Sequence, residues 1–330
     1  MNPSTGPRGY FFKRKGLAVE KNLKFAIIIC LAVFLLSGLV VSCASTPPSA
    51  SPAGITVTDQ LGRTVTVPPN PQRIISIAPS NTEILFALGL GDRVIGVTTY
   101  CNYPPEALDK PRIGDFSTPN LEEIVAAEPD LILAANIHKD VGVPLFESRG
   151  LTVVALSPDT VNEVLDAIRL VGKVTGTEDR AQSLVAGMQA RIDAVTDKTA
   201  QLPDSEKPRV FYTVWHDPLM TAGSGTFMDE LIYLAGGINI AHDLSGYPDI
   251  GLETVIAADP QVMVAGVGMG EGEDLSLIFL TDEDRLEDTA ARRNGRVHPI
   301  DMDIIGRPGP RLVDALEQFA RFLHPSLFGE

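Results

Sequence analysis

An internal repeat does more than any other feature to limit what this chain can fold into. Residues 121–134 align without gaps on residues 252–265, and six of the fourteen positions are identical. Most of the other positions exchange one aliphatic residue for another, or glutamate for aspartate. Each segment has the pattern of a helix, a turn at a proline and a buried strand. The chain therefore uses one helix-turn-strand unit twice.

A second pair of segments keeps the same order in both halves, because residues 83–89 and residues 230–236 each follow an aliphatic run. Such runs alternate with helical patterns along the chain, which predicts parallel sheets covered by helices. Ile, Val and Leu at consecutive positions indicate strands that are buried on both faces. The predicted strands cover residues 73–78, 130–134, 152–156, 209–214 and 261–265.

The segment between the two halves, residues 177–201, contains no proline and one glycine, with apolar residues at helical spacing. At 1.5 Å per residue, a helix of about 25 residues spans roughly 37 Å, enough to reach from one half to the other. We therefore predict an α/β fold of two similar lobes with central parallel sheets, joined by a single long linker helix. The lobes are placed at residues 55–176 and 202–330.

The N-terminal segment has the pattern of an export signal. Six basic residues precede an apolar run that ends at Cys43, and residues 40–43 resemble the lipobox of bacterial lipoproteins, in which the cysteine thiol is diacylated. We predict a lipoprotein signal peptide at residues 1–43 with Cys43 as the lipidation site. An uncleaved anchor helix is the alternative, and both place the body outside the cytoplasm, anchored to the membrane. The Ser/Pro/Ala-rich residues 44–54 are predicted to be a flexible tether.

Charge and cysteine content limit the partners. Without residues 1–43 the chain has 21 basic and 41 acidic residues, which argues against nucleic acid and favours a partner with a basic docking surface. Cys101 is then the one cysteine left, so no internal disulfide is expected.

Motifs for catalysis are missing from the sequence, which has no G-x-S-x-G elbow, no P-loop and no dinucleotide fingerprint in the right context. The five histidines show no metal-ligand spacing. We therefore expect neither an enzyme nor a metal site, and no cofactor.

Residues 73–91, followed by residues 94–97 and 100–105, resemble the cobalamin and iron-siderophore periplasmic binding protein family, and the match extends over about residues 56–325. Further segments of the family pattern follow in order at residues 120–125, 129–133, 236–240 and 308–311. The resemblance implies a vitamin B12-binding-like lipoprotein that holds its ligand between two lobes. It also implies docking on the permease of an ABC importer, which works with an ATPase.

The resemblance further implies one glutamate on each lobe that pairs with basic pockets of the permease, and the matching positions are Glu83 and Glu230. The alternative role for Glu83 is to cap the N-terminus of a helix, because Ser80 and Glu83 have the spacing of a capping box. Glu230 lies one residue beyond the analogous pair Thr226 and Asp229, so capping explains it less well.

Ligands of open parallel sheets bind outside the carboxyl ends of the strands. This rule selects residues 100–103 in one lobe and Trp215, His216, Asp217 and Met220 in the other. The resemblance adds that Tyr100 and Phe116 match positions that face cobalamin. Trp215 is a candidate stacking surface for a flat ligand, with a place in the lobe core as the alternative. His216 is a candidate metal-centre ligand or hydrogen-bond donor, with a solvent-facing loop histidine as the alternative.

Two arginines flank residues 308–310, and a guanidinium there is able to hold a carboxylate or phosphate. Arg307 is the better ligand candidate than Arg311, and the alternative is a salt bridge that fixes this loop to the lobe. The 100–105 segment and Trp215 favour a cobalamin-like corrinoid, whereas the paired arginines favour a ferric siderophore or haem. An adhesive or enzymatic cell-surface lipoprotein on the same fold is the alternative from another class.

Overall fold

The computed structural model describes residues 54–268 and 274–329. The predicted signal peptide, the lipidation site Cys43 and all of the predicted tether except Gly54 lie outside the described residues. Among the helices described, none is long and apolar enough to cross a membrane.

The described chain begins with an antiparallel hairpin of β1 (Ile55–Thr58) and β2 (Thr64–Val67). Its turn is held by the buried carboxylate of Asp59, which accepts hydrogen bonds from the backbone N–H groups of Leu61, Arg63 and Ala155. The bond from Ala155 attaches the hairpin to the first lobe.

The sheet of the first lobe has four parallel strands in the order β4-β3-β5-β6. Their side chains are almost all buried, as the runs of aliphatic residues predicted. The strands are β3 (Ile74–Ser76), β4 (Val94–Val97), β5 (Leu131–Ala135) and β6 (Val153–Leu156).

Helices follow the strands of this sheet, and their first residues show why they begin where they do. Asn120 accepts hydrogen bonds from two backbone N–H groups of the second helix, and Thr160 with Glu163 forms a capping box on the fourth. The helices are α1 (Pro79–Ala87), α2 (Leu121–Ala126), α3 (Gly142–Glu147) and α4 (Val161–Thr175).

A single long helix, α5 (Glu178–Thr199), leads from the first lobe to the second, as predicted. Gly176 ends α4 with φ of 70°, a left-handed conformation that glycine adopts without strain, so the chain turns directly into α5. Along α5 the guanidinium of Arg191 pairs with Glu317 of the second lobe at 2.8 Å.

The sheet of the second lobe has the order β11-β10-β7-β8, and a short strand β9 also pairs with β7. All pairs are parallel except that of β7 with β8. The strands are β7 (Arg209–His216), β8 (Leu219–Thr221), β9 (Ile238–Asn239), β10 (Val262–Val267) and β11 (Val297–Asp301).

The helices of this lobe include the counterparts that the repeat predicts. The unit α2-β5 of the first lobe corresponds to a helix and β10 here, and α1 corresponds to the helix that follows β8. The helices are α6 (Phe227–Leu234), α7 (Leu252–Ala258), α8 (Leu275–Asp282), α9 (Ala290–Arg293), α10 (Met302–Ile305), α11 (Leu312–Leu323) and α12 (Pro325–Phe328).

One apolar cluster runs through both lobes. It includes Ile74 and Leu133 of the first sheet, Val185 of α5, and Val210 and Val264 of the second sheet. The outer face of each sheet has a separate cluster of its own. Because a shared core removes apolar surface of both lobes from water, it holds the two sheets at a defined separation.

Candidate functional site

A cavity of about 840 Å³ lies between the two lobes. Its walls come from segments that follow β3, β4, β5 and β6 of one sheet and β10 and β11 of the other. The carboxyl ends of both sheets therefore face the same space, as expected for ligand sites in parallel sheets. The volume is within the range of ligand pockets.

Aromatic and aliphatic side chains form one wall of this cavity, and Tyr100 and Phe116 are both among them. Tyr100 is 58% exposed and Ile137 is 55% exposed. Large apolar side chains left this exposed inside a cleft provide a surface for an apolar or aromatic ligand. The structure thus brings together two of the ligand-binding residues that the sequence proposed.

His138 fixes the position of this wall. It was not among the site residues predicted from the sequence, because it lies outside the predicted strand-end sites. Its ring is 2% exposed. The backbone N–H of Ala135 donates to Nδ1 at 3.0 Å, so the proton lies on Nε2, which donates to the carbonyl oxygen of Phe116 at 2.7 Å. Burial lowers the pKa of the imidazole. The one sequence feature that points to a role for His138 is its position three residues after the end of β5.

Arg307 lies on the opposite wall, but its guanidinium already has partners. It donates to Oδ1 of Asn102 at 2.6 Å and to the carbonyl oxygen of Tyr100 at 3.2 Å, and it pairs with Asp303. Asn102 in turn donates to Asp303 at 2.7 Å. These contacts join the two lobes. The structure therefore supports the alternative role of Arg307, a salt bridge that fixes the 308–310 loop.

Glu83 belongs to the same network and is 2% exposed. The capping alternative for Glu83 is wrong, because α1 begins at Pro79 after Ala78 and no side chain caps it. The Glu83 carboxylate instead faces Arg311, which stacks over the ring of Tyr103 at 4.0 Å, and Arg307 at 3.5 Å. Burial raises the pKa of the Glu83 carboxyl, against the opposing effect of the two arginines.

Glu230 also contacts the other lobe. Its carboxylate accepts a hydrogen bond at 2.6 Å from the backbone N–H of Val161, at the N-terminus of α4, where the helix dipole favours negative charge. Burial raises the pKa of this half-buried carboxyl. Thr226 caps α6 by accepting from the N–H of Asp229, as its spacing indicated. The docking role of Glu83 and Glu230 stays a prediction.

Trp215 and His216 do not reach the described walls of the cavity. The sequence placed the end of their strand at residue 214, but β7 continues to His216 and pairs there with β8. Trp215 is 41% exposed and donates to the carbonyl oxygen of Asp217 at 2.9 Å. His216 packs against Trp215 with ring centroids 4.9 Å apart and is half-buried, so it is not a solvent-facing loop histidine.

A second cavity, of about 830 Å³, lies beside the linker helix. Glu83 and Arg311 line it together with Phe86, Tyr103 and Met188. The ion pair of Glu83 with Arg311 therefore borders this cavity, while Arg307 and Asn102 of the same network border the first.

The family profile and the relatives found by comparison with known proteins agree in describing binding proteins. The sequence profile of a family described as periplasmic binding protein matches residues 74–303. The chain is 31% identical over 281 residues to an uncharacterized ABC transporter substrate-binding lipoprotein, YvrC, of Bacillus subtilis. That match covers 84% of this chain and 87% of the relative.

Two solved structures have a similar fold. The periplasmic vitamin B12-binding protein BtuF of Vibrio cholerae has a TM-score of 0.65 at 29% identity, with 78% of this chain and 98% of that chain covered. The periplasmic heme-binding protein RhuT of a Roseiflexus species has a TM-score of 0.68 at 28% identity, with 78% and 99% covered. Proteins that bind two different metallated macrocycles thus share this arrangement of lobes.

Proposed function

This chain belongs to the periplasmic binding protein family, and we propose that it captures a cobalamin-like corrinoid between its lobes for an ABC importer. The observation that carries the proposal is the cavity at the carboxyl ends of both sheets, with Tyr100 and Phe116 in its wall. Relatives described as a substrate-binding lipoprotein and a vitamin B12-binding protein support the same function.

The chemistry of the walls suits a corrinoid. A flat macrocycle stacks on aromatic rings, and the cavity wall provides two, the exposed Tyr100 and the half-buried Phe116. The amide side chains around a corrin need partners that both donate and accept hydrogen bonds. Ser80, Asn136 and Ser157 line the cavity and are of that kind.

A ferric siderophore or haem is the second candidate ligand. It is favoured by Arg307 in the cavity wall and by the likeness to a heme-binding protein. Against it, the Arg307 guanidinium is bound by Asp303, Asn102 and the Tyr100 carbonyl, so a ligand carboxylate would have to displace them.

Calorimetric titration of the detergent-purified full chain with cyanocobalamin, haem and ferrichrome tests this ranking. We expect one corrinoid per chain, and Tyr100→Ala to weaken its binding at least about tenfold, as a buried aromatic contact predicts. Tyr233→Ala is the matched control, because Tyr233 is exposed and lines neither cavity. Tight binding of haem or ferrichrome without any corrinoid binding would overturn the ranking.

The proposal includes an extracytoplasmic, membrane-anchored location through a lipid on Cys43, and docking on a permease through Glu83 and Glu230. Several acyl chains give stable anchoring, since each buried methylene adds about 0.8 kcal/mol. Cys43→Ser should therefore move the protein from the membrane fraction to the soluble fraction and abolish labelling by a fatty-acid analogue. Unchanged labelling would exclude Cys43 as the lipid site.

A further inference from the structure

We infer that the cavity between the lobes selects by charge, and that Asp159 disfavours anionic ligands so that the captured molecule is neutral or cationic. This inference rests on the proposed function and specifies the class of ligand. It begins from the charged groups that line the cavity, which among the described residues are Asp159, Asp303 and Arg307.

The one cation among these groups is already neutralised. Arg307 pairs with Asp303 and lies 3.5 Å from the carboxylate of Glu83. Its side chain is only 12% exposed, and its bonds to Asn102 and Tyr100 leave little freedom to reorient. An incoming carboxylate would have to break contacts that join the two lobes, so Arg307 does not serve as a free anion anchor.

Asp159 is different, because its exposed carboxylate has no ion pair within the described part of the chain. It lies three residues after the end of β6 and lines the cavity between the lobes. Burial and the charge of Asp159 together raise the pKa of Tyr247, a phenol of the second lobe, which places the carboxylate near that lobe. One formal negative charge therefore remains uncompensated on the cavity wall.

Helix N-termini are the other places that attract anions, and three lie close to the cavity. That of α10 is capped by Asp301, which accepts a hydrogen bond from the backbone N–H of Asp303. The N–H groups at the N-terminus of α4 already have acceptors, because Thr160 and Glu163 cap this helix and Glu230 accepts a hydrogen bond from Val161. That of α1 is uncapped at Pro79 and Ser80. A helix N-terminus acts as roughly half a positive charge, so it offsets only part of the full charge of Asp159.

Asp159→Asn tests the selection with the full chain and three probes: cyanocobalamin and ferrichrome, which carry no net charge, and haem, which carries propionates. A charge within about 10 Å in partly solvated surroundings changes binding of an anion by about fivefold. We expect Asp159→Asn to tighten haem binding by that factor and to leave cyanocobalamin within twofold. Asp197→Asn is the matched control, since this exposed acid lines neither cavity.

Salt gives a second readout. If Asp159 repels haem, raising the salt concentration from 50 to 500 mM should tighten haem binding to the wild type and not to Asp159→Asn, because screening weakens repulsion. Unchanged haem affinity in Asp159→Asn, or an equal gain in Asp197→Asn, would overturn the inference.

Corrinoid capture and charge selection by Asp159 would be contradicted by different outcomes. Binding of neutral ferrichrome without corrinoid binding would contradict the corrinoid and leave the charge selection intact. Unchanged haem affinity in Asp159→Asn together with tight cyanocobalamin binding would contradict the charge selection and leave corrinoid capture intact. Absence of binding by all three probes would contradict both.

Discussion

The carboxylate of Glu83 in one lobe accepts two hydrogen bonds from the guanidinium of Arg311 in the other, at 2.9 and 2.6 Å. The two residues are 228 positions apart in the chain. A bidentate pair of this kind fixes orientation as well as distance. Because it joins α1 to the segment before α11, it acts with the Arg307 contacts and the shared apolar core to set the spacing of the lobes, and hence the width of the cleft.

Replacing Glu83 by Gln should lower the free energy of unfolding by about 3 kcal/mol, because Arg311 would lose its buried counter-charge. Urea unfolding measures this change. Glu317→Gln is the matched control, since its pair with Arg191 is partly exposed on both sides and is worth less than about 1 kcal/mol. A loss below 1 kcal/mol in Glu83→Gln would show that the pair does not hold the lobes together.

The architecture was predictable because it depends on local patterns. Aliphatic runs marked the central strands to within about two residues, and the repeat related α1 to α6 and α2 to α7. A segment without proline between the halves was enough to predict α5. The place of Tyr100 in the cavity followed from the rule on strand ends.

The site was less predictable because its contacts depend on distant partners. Nothing near Arg307 or Arg311 in the sequence indicates that Glu83 and Asn102 engage them, since these pairs form only when the lobes meet. Trp215 was misplaced for a different reason. Its strand continues past residue 214 because β8 pairs with it, and a strand of three residues gives almost no pattern.

Acid should weaken the fold through His138. Burial lowers its pKa, so the folded chain keeps the ring neutral while the unfolded chain takes up a proton below about pH 6.5. The stabilisation is thus fully present above that pH and is lost as the pH falls towards the lower pKa of the folded state. Protonated Nδ1 would also face the N–H of Ala135, donor against donor.

His138→Asn should therefore flatten the dependence of unfolding free energy on pH between 5 and 6.5 by as much as about 1.4 kcal/mol per pH unit, the slope of one proton. Denaturant titrations at several pH values measure it. His298 and His324, whose pKa values burial also lowers, remain in the variant and leave a residual slope. The same slope in both proteins would exclude His138 as the source.

The outer core of the first lobe depends on Phe146, which is 1% exposed. Phe146→Ala should cost about 3–5 kcal/mol, because it removes buried apolar surface and leaves a cavity. Val141→Ala is the control, since Val141 is 74% exposed and its change should stay within about 0.5 kcal/mol. Thermal unfolding that is equal in both variants would contradict the placement of Phe146 in the core.

Docking on a permease should depend more strongly on Glu230 than on Glu83. Among the described residues, the half-buried Glu230 carboxylate bonds to the backbone of Val161 alone. The ion pair of Glu83, in contrast, has to open before another cation can reach its carboxylate. The second cavity, which Glu83 and Arg311 line, offers an arginine of the proposed permease an approach to Glu83. Glu230→Gln should thus reduce cyanocobalamin uptake by cells with the cognate permease and ATPase, and leave ligand affinity unchanged.

The double variant Glu83→Gln, Glu230→Gln should abolish this uptake, because both of the proposed docking carboxylates are then lost. Glu287→Gln serves as the control, since this exposed acid of the second lobe has no ion pair among the described residues. Binding of cyanocobalamin to each purified variant separates docking from capture. Full uptake by the double variant would remove both glutamates from the docking surface, and their carboxylates would then act only between the lobes.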